Sequence, residues 1–264
     1  MTIEKDEGVV KGDDDTMFDL VVSSVDLVSM KLLVLWACRG FQRPITTGVR
    51  EINIAGQTLK IHELGDVYDP LTGRALTGSW IWDSALLLSR WLATSQLDLR
   101  NKSVIELGAG AGLPGLTAAL LGASRVLLTD IAPLLPGLVK NVEANELGDR
   151  VEVRELVWGS DESLSRIVEL RRFDVVLMSD VFFDLEEMAA LGRTLKMLSG
   201  SETRVLAASE VRFWTGGCLN ELASQGFEVV EVPSQEVDGG GDIFAVYSII
   251  PPYEENRQNN MSGS

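Results

Sequence analysis

Apolar positions change rhythm at residue 49. Beyond it, short runs of Val, Ile and Leu alternate with stretches whose apolar residues recur every three to four positions. Val49–Ile54 and Thr58–Glu63 read as two strands around Ala55-Gly56-Gln57, a hairpin. Gly78–Ala93 predicts a helix with one apolar face. Strand Ser103–Leu107 then leads into a helix ending near Leu121, and strand Arg125–Thr129 into helix Pro133–Glu146. Val151–Val157 precedes helix Ser163–Leu170, Phe173–Met178 precedes helix Leu185–Ser199, and Arg204–Ala208 precedes helix Gly217–Gln225. Strands Phe227–Val232 and Ile243–Ile249 close the series. Strands alternating with helices specify a parallel sheet covered on both faces. Only a glycine-rich turn region at 238–241 separates the last two strands, so they should pair antiparallel; a parallel pair needs a longer crossover.

Upstream the pattern differs. Residues 1–19 carry Glu4, Asp6, Glu7, Asp13, Asp14, Asp15 and Asp19 against Lys5 and Lys11. That is the composition of a disordered acidic tail and the opposite of a secretory signal or mitochondrial presequence. Residues 20–48 include the most apolar long window, Val21–Cys38. Val21, Val25, Val28, Leu32 and Leu35 fall at helical spacing, while Asp26, Lys31 and several serines make it a poor membrane span. It reads as an apolar N-terminal helix packed on its own domain; the alternatives are a helix presented to a partner or a membrane surface, and a segment that does not fold. Residues 49–250 form the main domain, and 251–264 a second disordered polar tail.

Charge and rare residues narrow the chemistry. The chain of 264 residues has 23 Lys+Arg against 39 Asp+Glu, a formal charge of −16. Such a balance argues against a nucleic-acid partner, which needs a basic face for phosphates, and suits a basic one. His62 is the lone histidine, so a multi-histidine metal site is impossible and a Ser-His-Asp triad would have to use it; no metal is expected. Cys38 and Cys218 form no CxxC, leaving neither a zinc motif nor a disulfide framework. A reducing compartment follows: the cytoplasm, with the nucleus as a second location. No membrane association is expected, and the protein is expected to be a monomer.

The strand Val104-Ile105-Glu106-Leu107 runs into Gly108-Ala109-Gly110-Ala111-Gly112-Leu113-Pro114-Gly115. Small residues permit a sharp turn and close approach to a ligand, and Pro114 is tolerated in a first helical turn. A loop at the carboxyl end of a first strand is where doubly wound folds bind cofactors. Two readings compete. Gly110, Gly112 and Gly115 match GxGxxG, with Asp130 twenty residues on, as in dinucleotide-binding domains. Glu106 through Gly112 also reads ExGxGxG, which resembles motif I of S-adenosylmethionine-dependent methyltransferases. The antiparallel ending of the series favours the second, because a seven-strand sheet with one reversed strand looks like the class I methyltransferase fold. The resemblance implies that Glu106 helps organise the cationic methionine end of the cofactor and that Asp130 accepts hydrogen bonds from its ribose hydroxyls.

Three further motifs occur in order: Thr77-Gly78-Ser79-Trp80-Ile81-Trp82-Asp83-Ser84-Ala85, Leu156-Val157-Trp158-Gly159, and Phe173 through Asp184. With the glycine loop they resemble the seven-strand protein-lysine methyltransferases of methyltransferase family 16, most of all its methyltransferase-like 21 group, whose members modify chaperones and AAA ATPases. The likeness spans about residues 49–250. It implies an α/β class I Rossmann-like domain, S-adenosylmethionine as cofactor and a protein substrate presenting a lysine. Matched position by position, it assigns cofactor contacts to Trp82, Gly108, Ala109, Gly110, Asp130, Trp158 and Ser179. It places Asp180 and Phe183 in the acid-x-x-aromatic signature of the catalytic site. Many relatives carry Tyr where this chain has Phe183, so a hydroxyl contact is missing.

Transfer of a methyl group from sulfonium to amine is a direct displacement that needs an aligned, neutral nitrogen. A carboxylate beside a lysine raises its pKa, whereas an apolar channel lowers it. Asp180 is therefore expected to orient the amine rather than act as a strong base. Phe182 or Phe183, with Trp80, are expected to wall the channel and pack on the lysine methylenes. Pro251-Pro252-Tyr253 lacks a preceding Asn or Asp and follows the last strand, so it reads as a strand stop rather than an amide or base methyltransferase motif. A small-molecule methyltransferase and a non-catalytic S-adenosylmethionine-binding scaffold are the alternatives.

Overall fold

The computed structural model describes residues 48–65, 67–68, 73, 75–168, 173–233 and 243–252. The expected acidic tail 1–19, the apolar helix Val21–Cys38, the turn 238–241 and the polar tail beyond Pro252 lie outside the described residues.

Strands β1 (Gly48–Ile54) and β2 (Gln57–Glu63) form the expected hairpin, with Ile54 opposite Gln57. Its turn holds Ala55 and Gly56 at φ 52° and 79°, the left-handed pair that a two-residue hairpin turn requires. A second, minimal pair, β3 (Val67–Tyr68) with β4 (Ala75–Leu76), was not foreseen; two-residue strands leave no periodicity to read. Helix α1 spans Asp83–Thr94. The remaining order is β5 (Ser103–Leu107), α2 (Leu113–Leu120), β6 (Arg125–Asp130), α3 (Leu135–Ala144), β7 (Val151–Glu155) and α4 (Asp161–Val168). β8 (Val175–Ser179), α5 (Met188–Leu198), β9 (Arg204–Glu210), α6 (Thr215–Ser224), β10 (Glu228–Val232) and β11 (Phe244–Ile250) complete it. The helices expected from Pro133 and Leu185 each begin as a short 3₁₀ turn before continuing as α3 and α5.

The sheet of seven strands runs β10-β11-β9-β8-β5-β6-β7. β7, β6, β5, β8 and β9 are mutually parallel, and β11 is antiparallel to both β9 and β10. The last two strands therefore pair as expected, with the reversed strand inside the sheet rather than at its edge. From β5 the chain steps outward through β6 and β7, then returns to the other side of β5 to make β8 and β9. That reversal opens a crevice at the carboxyl ends of β5 and β8, where loops diverge.

Alternate strand positions feed two apolar layers. Val104, Leu128, Leu177 and Ala208 pack with the hairpin residues Leu59 and Ile61, with Leu88 of α1 and with Leu116 of α2. Ile105, Leu127, Val176 and Ala207 pack with Leu164 of α4, Leu191 of α5 and Leu222 of α6. Burial on both faces explains the near-continuous apolar runs of the central strands.

Asn141 of α3 ties the hairpin to this frame. It is buried, its Oδ1 accepts from His62 N–H at 2.7 Å, and its Nδ2 donates to His62 O at 3.3 Å and to Ala111 O at 2.9 Å. One amide thus closes the edge of β2 and holds the loop between β5 and α2. Asn141→Ala leaves these backbone groups unpaired, and urea denaturation should show a loss of about 2–3 kcal/mol, the usual cost of orphaning buried hydrogen-bonding groups; an unchanged midpoint would show that water replaces the amide.

Candidate active site

The loop after β5 turns on Gly108, Gly110 and Gly112, with φ of 61°, 55° and 81°. L-residues with a side chain avoid this region. Space is as restrictive as angle. A Cβ on Gly110 would lie 2.8 Å from Gly78 O, and one on Gly108 would lie 3.1 Å from the Trp158 ring. The motif Thr77-Gly78-Ser79, a 3₁₀ turn, therefore lies backbone-to-backbone against the loop. A Cβ on Gly78 would crowd the end of the Leu134 side chain at 2.6 Å and lie 3.4 Å from Gly110 Cα. Ala109, buried between the glycines, donates its N–H to Thr129 O at 2.9 Å.

Two carboxylates fix the loop from below and beside. Asp130, ending β6, accepts from Gly110 N–H through Oδ2 and from Ile131 N–H through Oδ1, both at 2.8 Å. Burial raises its pKa to about 6 against these hydrogen bonds. Glu106 is wholly buried under the amino end of α2, where Oε2 accepts from Gly115 N–H at 2.8 Å and Oε1 has no partner. It lies beneath the loop rather than in its mouth. Desolvation raises its pKa to about 8; the Gly115 bond opposes this and the charge of Asp130 adds to it.

Across the crevice, β8 ends at Ser179, half-buried, and the chain turns at Asp180 with φ 56°. Both Asp180 oxygens are taken by one guanidinium: Arg212 Nη1 donates to Oδ1 at 2.7 Å and Nη2 to Oδ2 at 2.9 Å. Asp180 does not cap the following helix; Asp184 does, accepting from Glu186 N–H at 3.1 Å. The two phenylalanines part company. Phe182 is fully buried and meets Tyr247 edge-on with ring centroids 6.1 Å apart, so it belongs to the core and cannot wall a channel. Phe183 points outward, half-exposed, with its ring 6.3 Å from that of Trp158. Consecutive residues beyond a strand end project in different directions, and here only the second one faces the crevice.

Trp82 precedes α1. Its Nε1 donates to Thr77 O at 3.0 Å, and its ring lies 6.5 Å from Trp80 and 5.6 Å from the Arg212 guanidinium. The expected residues thus form two groups. Gly108, Ala109, Gly110, Asp130 and Glu106 surround the loop, with Trp158 joining it to Phe183, while Asp180 and Trp82 meet through Arg212. Sequence reasoning passed over Arg212 and Asn141. A charged pair, Glu210 and Arg212, just past an apolar strand on the same side as the loop was the available signal for the former; nothing in the sequence singled out the latter. His62 stands apart: it lines a shallow cavity of about 290 Å³ with Glu63, Leu64 and Lys140, to which no loop residue contributes.

A family model described as "Lysine methyltransferase" matches residues 71–227. The protein N-lysine methyltransferase METTL21A of Danio rerio is 39% identical over 155 residues, which cover 58% of this chain and 69% of the relative. Its Mus musculus counterpart is 39% identical over 156 residues, with the same coverage. EEF1A lysine methyltransferase 3 of Xenopus tropicalis is 35% identical over 133 residues, covering 50% of this chain and 57% of that protein. Among solved structures, a methyltransferase complexed with SAH aligns at a TM-score of 0.54 and 16% identity over 79% of this chain and 57% of its own; that likeness is one of fold.

The buried Glu106 makes stability depend on pH. Its unfolded value is near 4.5 and its folded value near 8, so between them the folded protein holds a proton that the unfolded chain has lost. Stability contributed by this group is full below the lower value and is lost as pH rises through the upper one. Glu106→Gln, which needs no proton, should flatten the fall in urea midpoint between about pH 5.5 and about pH 8.5. Parallel pH curves for the two proteins would mean that the carboxylate is ionised in the fold.

Proposed function

Because the chain belongs to the lysine methyltransferase family, and so is an S-adenosylmethionine-dependent protein-lysine N-methyltransferase, we propose that methyl transfer takes place in the crevice between the glycine loop and Asp180. The observation that carries this reading is the placement of both motifs at the carboxyl ends of adjacent parallel strands, β5 and β8.

The residues present fit the cofactor. The loop turns on glycines and is closed on one side by the Gly78 backbone, and Asp130 stands beside it at the end of the neighbouring strand. Each Asp130 oxygen takes one backbone N–H and keeps a further lone pair, as two ribose hydroxyls would need. Gly108, Ala109, Gly110, Asp130, Trp82, Trp158 and Ser179 would hold the cofactor, with Glu106 acting from beneath by fixing Gly115. When bound, S-adenosylmethionine supplies a methyl group already activated on sulfur. The chain's own task is alignment. Asp180, with both oxygens held by Arg212, accepts a hydrogen bond from the amine and turns its lone pair toward the methyl group. Its carboxylate is engaged as an acceptor, so the lysine proton leaves to water. Phe183 packs on the lysine methylenes.

The acceptor we propose is a chaperone or an AAA ATPase, supported by the resemblance to the methyltransferase-like 21 group. The similarity to EEF1A lysine methyltransferase 3 makes elongation factor 1A the rival acceptor. The protein would act as a monomer in the cytoplasm. The outer rim suits a protein: Phe183 and Leu185 are about half-exposed, and Phe213, beside Arg212, is 94% exposed.

Incubation with isotopically labelled S-adenosylmethionine and purified molecular chaperone, AAA ATPase or elongation factor 1A, followed by mass spectrometry, should place label on one lysine of a chaperone or AAA ATPase. Label on elongation factor 1A alone would replace the proposed acceptor, and label only on small molecules would overturn the reading. Phe213→Ala should raise the apparent KM for the protein acceptor about tenfold while leaving kcat and cofactor affinity in place, as loss of an exposed docking aromatic does; an unchanged KM would remove this side chain from the acceptor surface.

A further inference from the structure

Arg212 follows β9 by two residues, and its side chain reaches the end of the neighbouring strand β8. The pair it makes with Asp180 is largely shielded but retains an open side: the two side chains are 10% and 8% exposed. The guanidinium also donates from Nη2 to Glu210 Oε2 at 2.7 Å, and it lies 5.6 Å and 5.9 Å from the ring centroids of Trp82 and Trp214. Its position is therefore set by two strand ends and two aromatic faces. Asp180 needs such a partner. Its backbone lies in the left-handed region, where a non-glycine residue persists only when its surroundings over-determine it. The Asp180 N–H, bonded to Ala208 O at 2.8 Å, fixes the main chain; the bidentate guanidinium, helped by a longer bond from Ser209 Oγ to Oδ1 at 3.4 Å, fixes the side chain.

We propose that Arg212 is the positioning residue of the transfer site: its planar fork locks both Asp180 oxygens in one orientation, so that the carboxylate presents a fixed acceptor direction to the incoming amine. The proposal rests on the role given to Asp180 above. A single point charge would not do the same work. Lysine carries the charge but cannot match two oxygens at once or keep a planar cation near the Trp82 and Trp214 rings. A carboxylate that loses the two parallel bonds and keeps only a point contact and the long Ser209 bond can swing about its side-chain torsions, and the amine it orients then leaves the line of displacement. Removal of the cation altogether would strand a buried anion, a far larger disturbance.

Arg212→Lys is therefore the informative variant, because it keeps the charge and the fold while removing the fork. The probe is transfer of tritiated methyl from S-adenosylmethionine to desalted total cell protein, with S-adenosylhomocysteine affinity measured by calorimetry on the same preparations. The maximal rate of Arg212→Lys should fall about 100-fold, with apparent KM for protein and S-adenosylhomocysteine affinity within about threefold of the parent and little change in melting temperature. Asp180→Asn should lose rate to a similar extent, and the double variant Asp180→Asn with Arg212→Lys should be no worse than the poorer single, because the two act as a unit. A parental rate in Arg212→Lys, or a rate loss matched by an equal loss of S-adenosylhomocysteine binding, would overturn the proposal while leaving the functional reading intact. Absence of transfer by the parent protein would overturn the functional reading and this one with it.

Discussion

The crevice depends on backbone N–H groups held by acidic side chains. The loop after β5 has too few side chains to fix itself, and its left-handed turns carry no intrinsic preference for this path over others. Asp130 fixes Gly110 in the middle of the loop, and Glu106 fixes Gly115 in the first turn of the helix that follows it. The clamp costs desolvation, which is why both carboxyls resist ionisation, and it leaves the mouth of the loop lined by main chain. Gly78 then closes the near side by backbone contact, so the sequence before α1 is as much a wall of the site as the loop itself.

The opposite wall uses the same economy with opposite signs. There a buried guanidinium holds a carboxylate, and aromatic faces hold the guanidinium. A site assembled from rigid strand ends and clamped charges places its groups without relying on the mobility of long loops. Phe183 and Phe213 supply the contrast: outward-facing apolar side chains at a rim whose interior is polar and ordered.

Most of the sheet was legible because its signals are periodic. The alternation of strands and helices, the hairpin turn at Ala55-Gly56 and the antiparallel ending each leave a mark within a short window of sequence. The insertion of β11 between β9 and β10 leaves none, because strand order is decided by packing between distant segments. At the site, Asp130, Asp180 and the glycines stand at strand ends where sequence expects chemistry. Phe182 and Phe183 could not be told apart, since which of two adjacent rings turns inward is settled by Tyr247, far along the chain. Arg212 and Asn141 escaped for the same reason. Their importance lies in partners 32 and 79 residues away, and neither interrupts the local pattern.

The interior position of β11 has a consequence for the order in which the molecule is made. β9 has no neighbour on its outer side until the last strand arrives, and β10 has none at all. The loop bearing Arg212 is anchored by Val211 N–H to Ile243 O, at the start of that same strand. A chain emerging from the ribosome can therefore complete the glycine-loop half, between β5 and β7, while the acceptor half still has an open β edge. Assembly of the acceptor half waits for β11 to slot between β9 and β10, both made before it, a step that leaves a sticky edge exposed until then.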